Sequence, residues 1–246
     1  MIGWLTRAAC ALALVALLLG GAGCAKKEEQ ARQAAAPATE QQEKPQIPEE
    51  LMTQAARLFG APFEREVHMK MTYTIEPGET NEYFVYRDAR VSRRDDLVVV
   101  TSRLVNAPQG LDQGDTLELR KDGVWITAVG GSPLSAPFLA MPAQISEGSK
   151  WSYEDSVGQV KMSVDVVAVR KEKVKVPLGE FEAWRIESKG TVQGAGRNGT
   201  VRDVSYYVER IGIVKSEMES SGTRAGPEGK PVKTAIKLLL EAIPEP

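Results

Sequence analysis

Thr116 to Ala128 reads TLELRKDGVWITA, two short runs of alternating apolar and polar residues joined across Asp122-Gly123. Asp-Gly between alternating runs is a strong hairpin signal, because a type I′ turn needs positive φ at both central residues. Strands joined this way are antiparallel. The same period of two recurs on both sides of the hairpin. Upstream, Val67, Met69, Met71, Tyr73 and Ile75 alternate with His68, Lys70, Thr72 and Thr74 up to Pro77-Gly78, the pattern of a half-buried strand. Further runs of this kind are Tyr83 to Arg87, Leu97 to Leu104, Lys150 to Glu154, Val160 to Val169, Lys173 to Val176, Phe181 to Val192, Thr200 to Arg210, Ile213 to Glu219 and Val232 to Ile243. One helical pattern precedes them. Leu51, Met52, Ala55, Leu58 and Phe59 fall on one face and Gly60 provides a stop. The expectation is an all-β domain with minor α, a curved antiparallel sheet or half-barrel of about ten strands with one short N-terminal helix, spanning 49–246.

Composition narrows the chemistry. The chain of 246 residues has 31 Lys+Arg against 33 Asp+Glu, one His and two Cys. Without a basic block there is no counterion-release drive toward nucleic acid. A single histidine leaves no multi-histidine metal site, and both cysteines lie in the first 24 residues, so neither a disulfide framework nor a Cys-based zinc site is expected. No cofactor motif is present. Gly194-Ala195-Gly196-Arg197-Asn198-Gly199 matches G-x-G-x-x-G, but a strand rather than a helix follows it, so it reads as a hairpin loop. Asp112, Asp115 and Asp122 lack the order of a calcium loop and read as solvated acids at turns. His68 on a polar strand face reads as a surface residue, and nothing singles out a catalytic pair, so no enzyme is expected.

The N-terminus carries a targeting pattern. Arg7, an apolar run from Ala8 to Leu19, and Ala22-Gly23-Cys24 followed by Lys26 and Lys27 resemble a bacterial lipoprotein signal peptide, with Gly21 where that family usually has an aliphatic. The resemblance implies a signal peptide over 1–23 and lipidation of Cys24, hence attachment to the membrane. The apolar run is 12 residues, short of the roughly 20 needed to span hydrocarbon. Cys10, inside the apolar run, reads as a small hydrophobe. Ala25 after the cysteine, in family terms, implies outer-membrane sorting toward the periplasm in a diderm host. Residues 24–48 then form a lipidated cysteine and flexible tether, poor in large apolar residues and averaging roughly 30 Å end to end.

A second resemblance lies in the C-terminal hundred residues. GSKWSYE at Gly148 to Glu154, VPLGEFEAWRIE at Val176 to Glu187 and SYYVERIGIVKSEME at Ser205 to Glu219 look like the V-P-x-G-x-F … G-x-V-K signature of a family of bacterial envelope proteins. That family is similar in architecture to the lipoprotein-carrier half-barrels of the periplasm, which implies an antiparallel sheet around an apolar concavity. Physically, Pro177 and Gly179 make a turn, and Phe181, Trp184, Tyr206 and Tyr207 can pair across strands.

Gly130 to Ile145, GGSPLSAPFLAMPAQI, is the least regular segment: Pro133, Pro137 and Pro142 argue against regular structure, while Leu134, Phe138, Leu139, Met141 and Ile145 keep it apolar. It reads either as a loop plugging the core or as a mobile lid over a lipophilic pocket. Arg170, Lys171, Lys173 and Lys175 read as edge-strand charges that block sheet-to-sheet pairing. Two functions follow. One is a lipid-anchored envelope protein binding an apolar ligand or lipid, with Met69, Met71, Phe138, Met141 and Met162 as adaptable lining. The other is a non-enzymatic structural or assembly partner of an envelope protein complex.

Overall fold

The computed structural model describes residues 47–60, 66–76, 78, 80–94, 97–108, 114–157, 160–194, 197–225 and 231–245. The signal segment, Cys24 and the tether up to residue 46 lie outside the described residues, as do Asp112, Ala195 and Gly196. Among these residues a 3-10 turn at Glu49–Leu51 leads to a short α-helix, Gln54–Leu58 (α1), and then to twelve strands. These are β1 (Val67–Glu76), β2 (Thr80–Arg94), β3 (Leu97–Val105), β4 (Asp115–Arg120), β5 (Gly123–Val129), β6 (Ser132–Pro142), β7 (Lys150–Val157), β8 (Val160–Val176), β9 (Gly179–Gly194), β10 (Arg197–Val208), β11 (Gly212–Ala225) and β12 (Pro231–Ala242).

All twelve belong to one antiparallel sheet in the order β6-β5-β4-β3-β2-β1-β12-β11-β10-β9-β8-β7. Two meanders therefore run outward from a central zip between the first and last strands, where Met69 to Glu76 of β1 pair with Ala242 to Ala235 of β12. The sheet curls until its two edges, β6 and β7, come together, so the barrel is nearly closed and its seam lies at the middle of the chain. Alternation fills the interior. Val67, Met69, Met71 and Tyr73 of β1, Val164, Val166 and Ala168 of β8, and Ile236, Leu238, Leu240 and Ala242 of β12 are all buried. Their alternate neighbours Lys70, Asp165 and Lys237 are half-buried or exposed.

One end of the barrel is covered by α1. Thr53 caps the helix by accepting from Ala56 N at 3.2 Å, with extended backbone at its own position. That cap divides the predicted helix: Leu51 belongs to the 3-10 turn, and only Gln54–Leu58 is α-helical. Ala55, Leu58 and Phe59 are fully buried. Ala55 N donates to Ala143 O and Arg210 N to Arg57 O, so the helix holds both the segment after β6 and the β10–β11 turn. Gly60 ends it with φ of 61°, and a Cβ there would lie 2.9 Å from Ile211 O. Only glycine fits.

The β4–β5 hairpin is present, with Arg120 opposite Gly123 and a two-residue loop of Lys121 and Asp122. Positive φ occurs at Gly123 but not at Asp122, so the turn is not the expected type I′. Glycine is required there because β6 crosses so closely that a Cβ would meet Met141 O at 2.3 Å.

Two expectations about strands are corrected. The runs Val160 to Val169 and Lys173 to Val176 are one strand, β8, with an irregularity between Ala168 and Arg170 that preserves pairing to β9. The Pro-rich segment is also a strand. β6 tolerates its prolines because it is an edge, where a missing N–H leaves no neighbouring ladder unpaired. Its pairing with β5 skips from Pro133–Ala128 to Phe138–Ile126, leaving Leu134 to Pro137 as a bulge. The basic run sits on β8 past Val167, where pairing with β7 stops. There Arg170 pairs with Glu172, Lys173 with Glu180, and the Lys171 ammonium lies 5.6 Å from the Trp184 ring.

Asp115 is not solvated either. It is buried and accepts from Gly130 N at 3.0 Å, fixing the turn before β6, whereas Asp122 is exposed and accepts from Trp125 Nε1.

Candidate functional site

The seam between β6 and β7 is held by side chains, with no backbone ladder between the two strands. Phe138 stacks on Tyr153 with centroids 4.2 Å apart and ring planes 10° apart. Trp151 Nε1 donates to Ala140 O at 3.1 Å. Phe138 and Tyr153 are both buried, so this stack belongs to the barrel wall and not to its surface. The stack and the indole bond, each worth about 0.5–1.5 kcal/mol beyond the area they bury, are among the contacts that close the seam in place of a ladder.

The barrel interior holds several methionines. Met69 and Met71 of β1, Met141 of β6, Met162 of β8 and Met218 of β11 are all buried and belong to one hydrophobic core. Thioether side chains are unbranched and adopt many shapes at low cost. The five candidate lining residues therefore share a core: Met69, Met71, Phe138, Met141 and Met162 are all at most 4% exposed. Met162 also borders a hollow of about 410 Å³ with Ser135 and Ala136 of the β6 bulge and Glu154, Lys161, Thr191 and Gln193. Met69, Met71, Phe138 and Met141 border none of the four described hollows. Within the Pro-rich segment Phe138, Ala140 and Met141 are core, while Ser135 to Pro137 are exposed.

Several features of the site were not anticipated. Tyr153 and Trp151 had signals only as strand aromatics, and Met218 is one inward position of an alternating run. Polar groups also enter the interior. Arg87 of β2 is 2% exposed, and its Nη2 donates to Ile211 O at 3.0 Å, while Nε and Nη1 have no partner among the described residues. Tyr73 Oη and Trp184 Nε1 are likewise buried without a partner among these residues. Burial, and then the neighbouring Tyr83, push the Tyr73 hydroxyl up to about 12. His68 is half-buried on the outer face, 5.8 Å from the Tyr86 ring. The glycine-rich segment joins two antiparallel strands, β9 and β10, as a hairpin does. Among the described residues no group of three His, Cys, Asp or Glu side chains is placed to hold a metal ion, and no helix is long and apolar enough to cross a membrane.

No family model matches this chain, and no curated protein matches it. Solved structures do. A protein of Bacteroides fragilis described as exported, with a YmcC-like fold, is 12% identical over 71% of this chain and 94% of its own, with a TM-score of 0.34. A protein of Parabacteroides distasonis described as a lipoprotein is 12% identical over 72% of this chain and 96% of its own, with a TM-score of 0.38. A LolA superfamily protein of Nitrosomonas europaea is 12% identical over 79% of this chain and 95% of its own, with a TM-score of 0.22. At this identity no functional residue is carried over from any of them.

Proposed function

We propose that this is a lipid-anchored protein of the cell envelope whose barrel takes an apolar ligand, an acyl chain or similar lipid, through the β6–β7 seam. The observation that carries the reading is the combination of a barrel whose edge strands meet through side chains without a ladder and a shared core that holds five buried methionines. Parting the seam breaks side-chain contacts, the Phe138–Tyr153 stack and the Trp151 bond among them, and no backbone ladder. The methionines can then repack around an inserted chain, with each methylene transferred from water contributing about 0.8 kcal/mol. Anchoring follows from Arg7, the apolar run and Ala22-Gly23-Cys24. A diacyl cysteine holds the protein on the bilayer effectively permanently, which keeps the barrel within a tether's reach of its ligand. Ala25 favours outer-membrane sorting in a diderm host.

The seam is tested with a fluorescent fatty acid. Uptake by the wild type should be saturable. Trp151→Phe, which removes the bond to Ala140 O, should speed it about 2- to 10-fold, the equivalent of one net hydrogen bond. Trp125→Phe is the control, since that indole bonds Asp122 on the outer side of β5. Uptake that is non-saturable, or equal in the two variants, refutes entry at the seam.

A further inference from the structure

Packing accounts for most of the inner face of β9 to β11, but not for one carboxyl. Asp203 of β10 is buried, and both its oxygens accept from serine hydroxyls: Ser205 Oγ donates to Oδ2 and Ser216 Oγ to Oδ1, each at 2.8 Å. Strand register puts Ser188 of β9 and Met218 of β11 beside it. Neither flanking strand turns a titratable group toward it: Ile186, Ser188, Val192, Ser216, Met218 and Ser220 are their buried inner residues nearby. Along β10 itself Tyr207 is the next titratable inner residue.

Elsewhere in the described interior the buried ionisable residues are Arg87 on β2, Asp115 on β4, and the phenols Tyr73 and Tyr153. Arg87 bonds Ile211 O and Asp115 bonds Gly130 N, and no ion pair to Asp203 forms among the described residues.

A serine hydroxyl can donate or accept, so the cluster can bond the carboxyl in either protonation state. The two states differ in what else they need. In the neutral acid one of the two bonds reverses, the carboxyl O–H donating to a serine Oγ; the ionised carboxylate keeps both serine bonds but carries a buried charge that needs a cation or water. We propose that Asp203, Ser205 and Ser216 form a pH-responsive clasp: neutral, the carboxyl ties β10 to β11 in a dry interior, and its ionisation admits water and loosens β9 to β11. The clasp is independent of whether the barrel takes a ligand.

Burial lifts the Asp203 carboxyl to about 7, against the partial opposition of its two serine bonds and with a small further push from Glu217. A folded-state value raised above the unfolded one means that the native state holds its proton longer. The stabilisation is complete below about pH 4 and is lost as pH rises toward 7.

The test is thermal unfolding of the full chain between about pH 4.5 and 8 for wild type, Asp203→Asn and the exposed control Asp165→Asn. The gap in Tm between Asp203→Asn and wild type should widen with pH by on the order of 5 °C or more, while Asp165→Asn follows wild type. Amide exchange in β10, corrected for its intrinsic pH dependence, should accelerate with pH in wild type alone. A gap that stays constant with pH overturns the proposal. Should Asp203→Asn not fold, infrared spectra of the wild type decide. A protonated-carboxyl band should persist at about pH 5.5, where exposed acids are ionised, and vanish by about pH 8.5. Its absence at pH 5.5 overturns the proposal equally.

Discussion

Phe138→Asp should cost about 5 kcal/mol and leave the barrel largely unfolded at moderate temperature. Removing a buried phenyl ring alone costs about 3–5 kcal/mol, and an unpaired carboxylate adds its own desolvation. Phe138 is 4% exposed and stacked on Tyr153, and Ile126 is its ladder partner on β5, so neither neighbour offers the charge a counter-ion. Phe138→Leu, which keeps the apolar volume roughly, should cost about 1–2 kcal/mol. Denaturant unfolding measures both. A loss below 1 kcal/mol for the aspartate would show that the ring leaves the core without penalty, as a freely mobile lid would.

The second large effect is backbone-driven. Gly123→Ala should cost about 3 kcal/mol, because two penalties combine: φ of 151° disfavours any side chain, and the new methyl would sit 2.3 Å from Met141 O. Relief requires β6 to move away, which pulls Met141 and Phe138 from the core. Gly131→Ala separates the two penalties. Its φ is 74° and nothing lies within 4 Å of an added Cβ, so only the conformational cost of about 1 kcal/mol should appear. Equal losses at the two glycines would mean that β6 gives way freely.

Local periodicity in the sequence is enough to find most of the strands, because an inward-outward alternation as clean as Val67 to Ile75 has no other stable use. Closure is different in kind. The pairing of β1 with β12 joins residues far apart in the chain, from Met69 opposite Ala242 to Glu76 opposite Ala235, and no local pattern encodes it. β6 was hidden by its three prolines, which argue against a central strand but are tolerated on an edge. The seam could not be read for the same reason: it depends on which strand is an edge, a property of the whole sheet. Asp203 is concealed by its strand. In VRDVSYYV the inward positions are Val201, Asp203, Ser205 and Tyr207, while Val204, Tyr206 and Val208 point the other way, so hydrophobicity alone favours neither face. The methionines at 69, 71, 141 and 162 were legible as candidate lining residues, but their membership of one core required the fold.

Mass spectrometry of the protein extracted from membranes tests the central proposal most directly, by comparing its mass under native and denaturing conditions. The denatured mass should equal residues 24–246 plus acyl groups on Cys24, and the native mass should exceed it by a non-covalent lipid, lost when the barrel unfolds. Identical native and denatured masses would contradict an apolar ligand in the barrel, and a denatured mass without acyl groups would contradict the anchor.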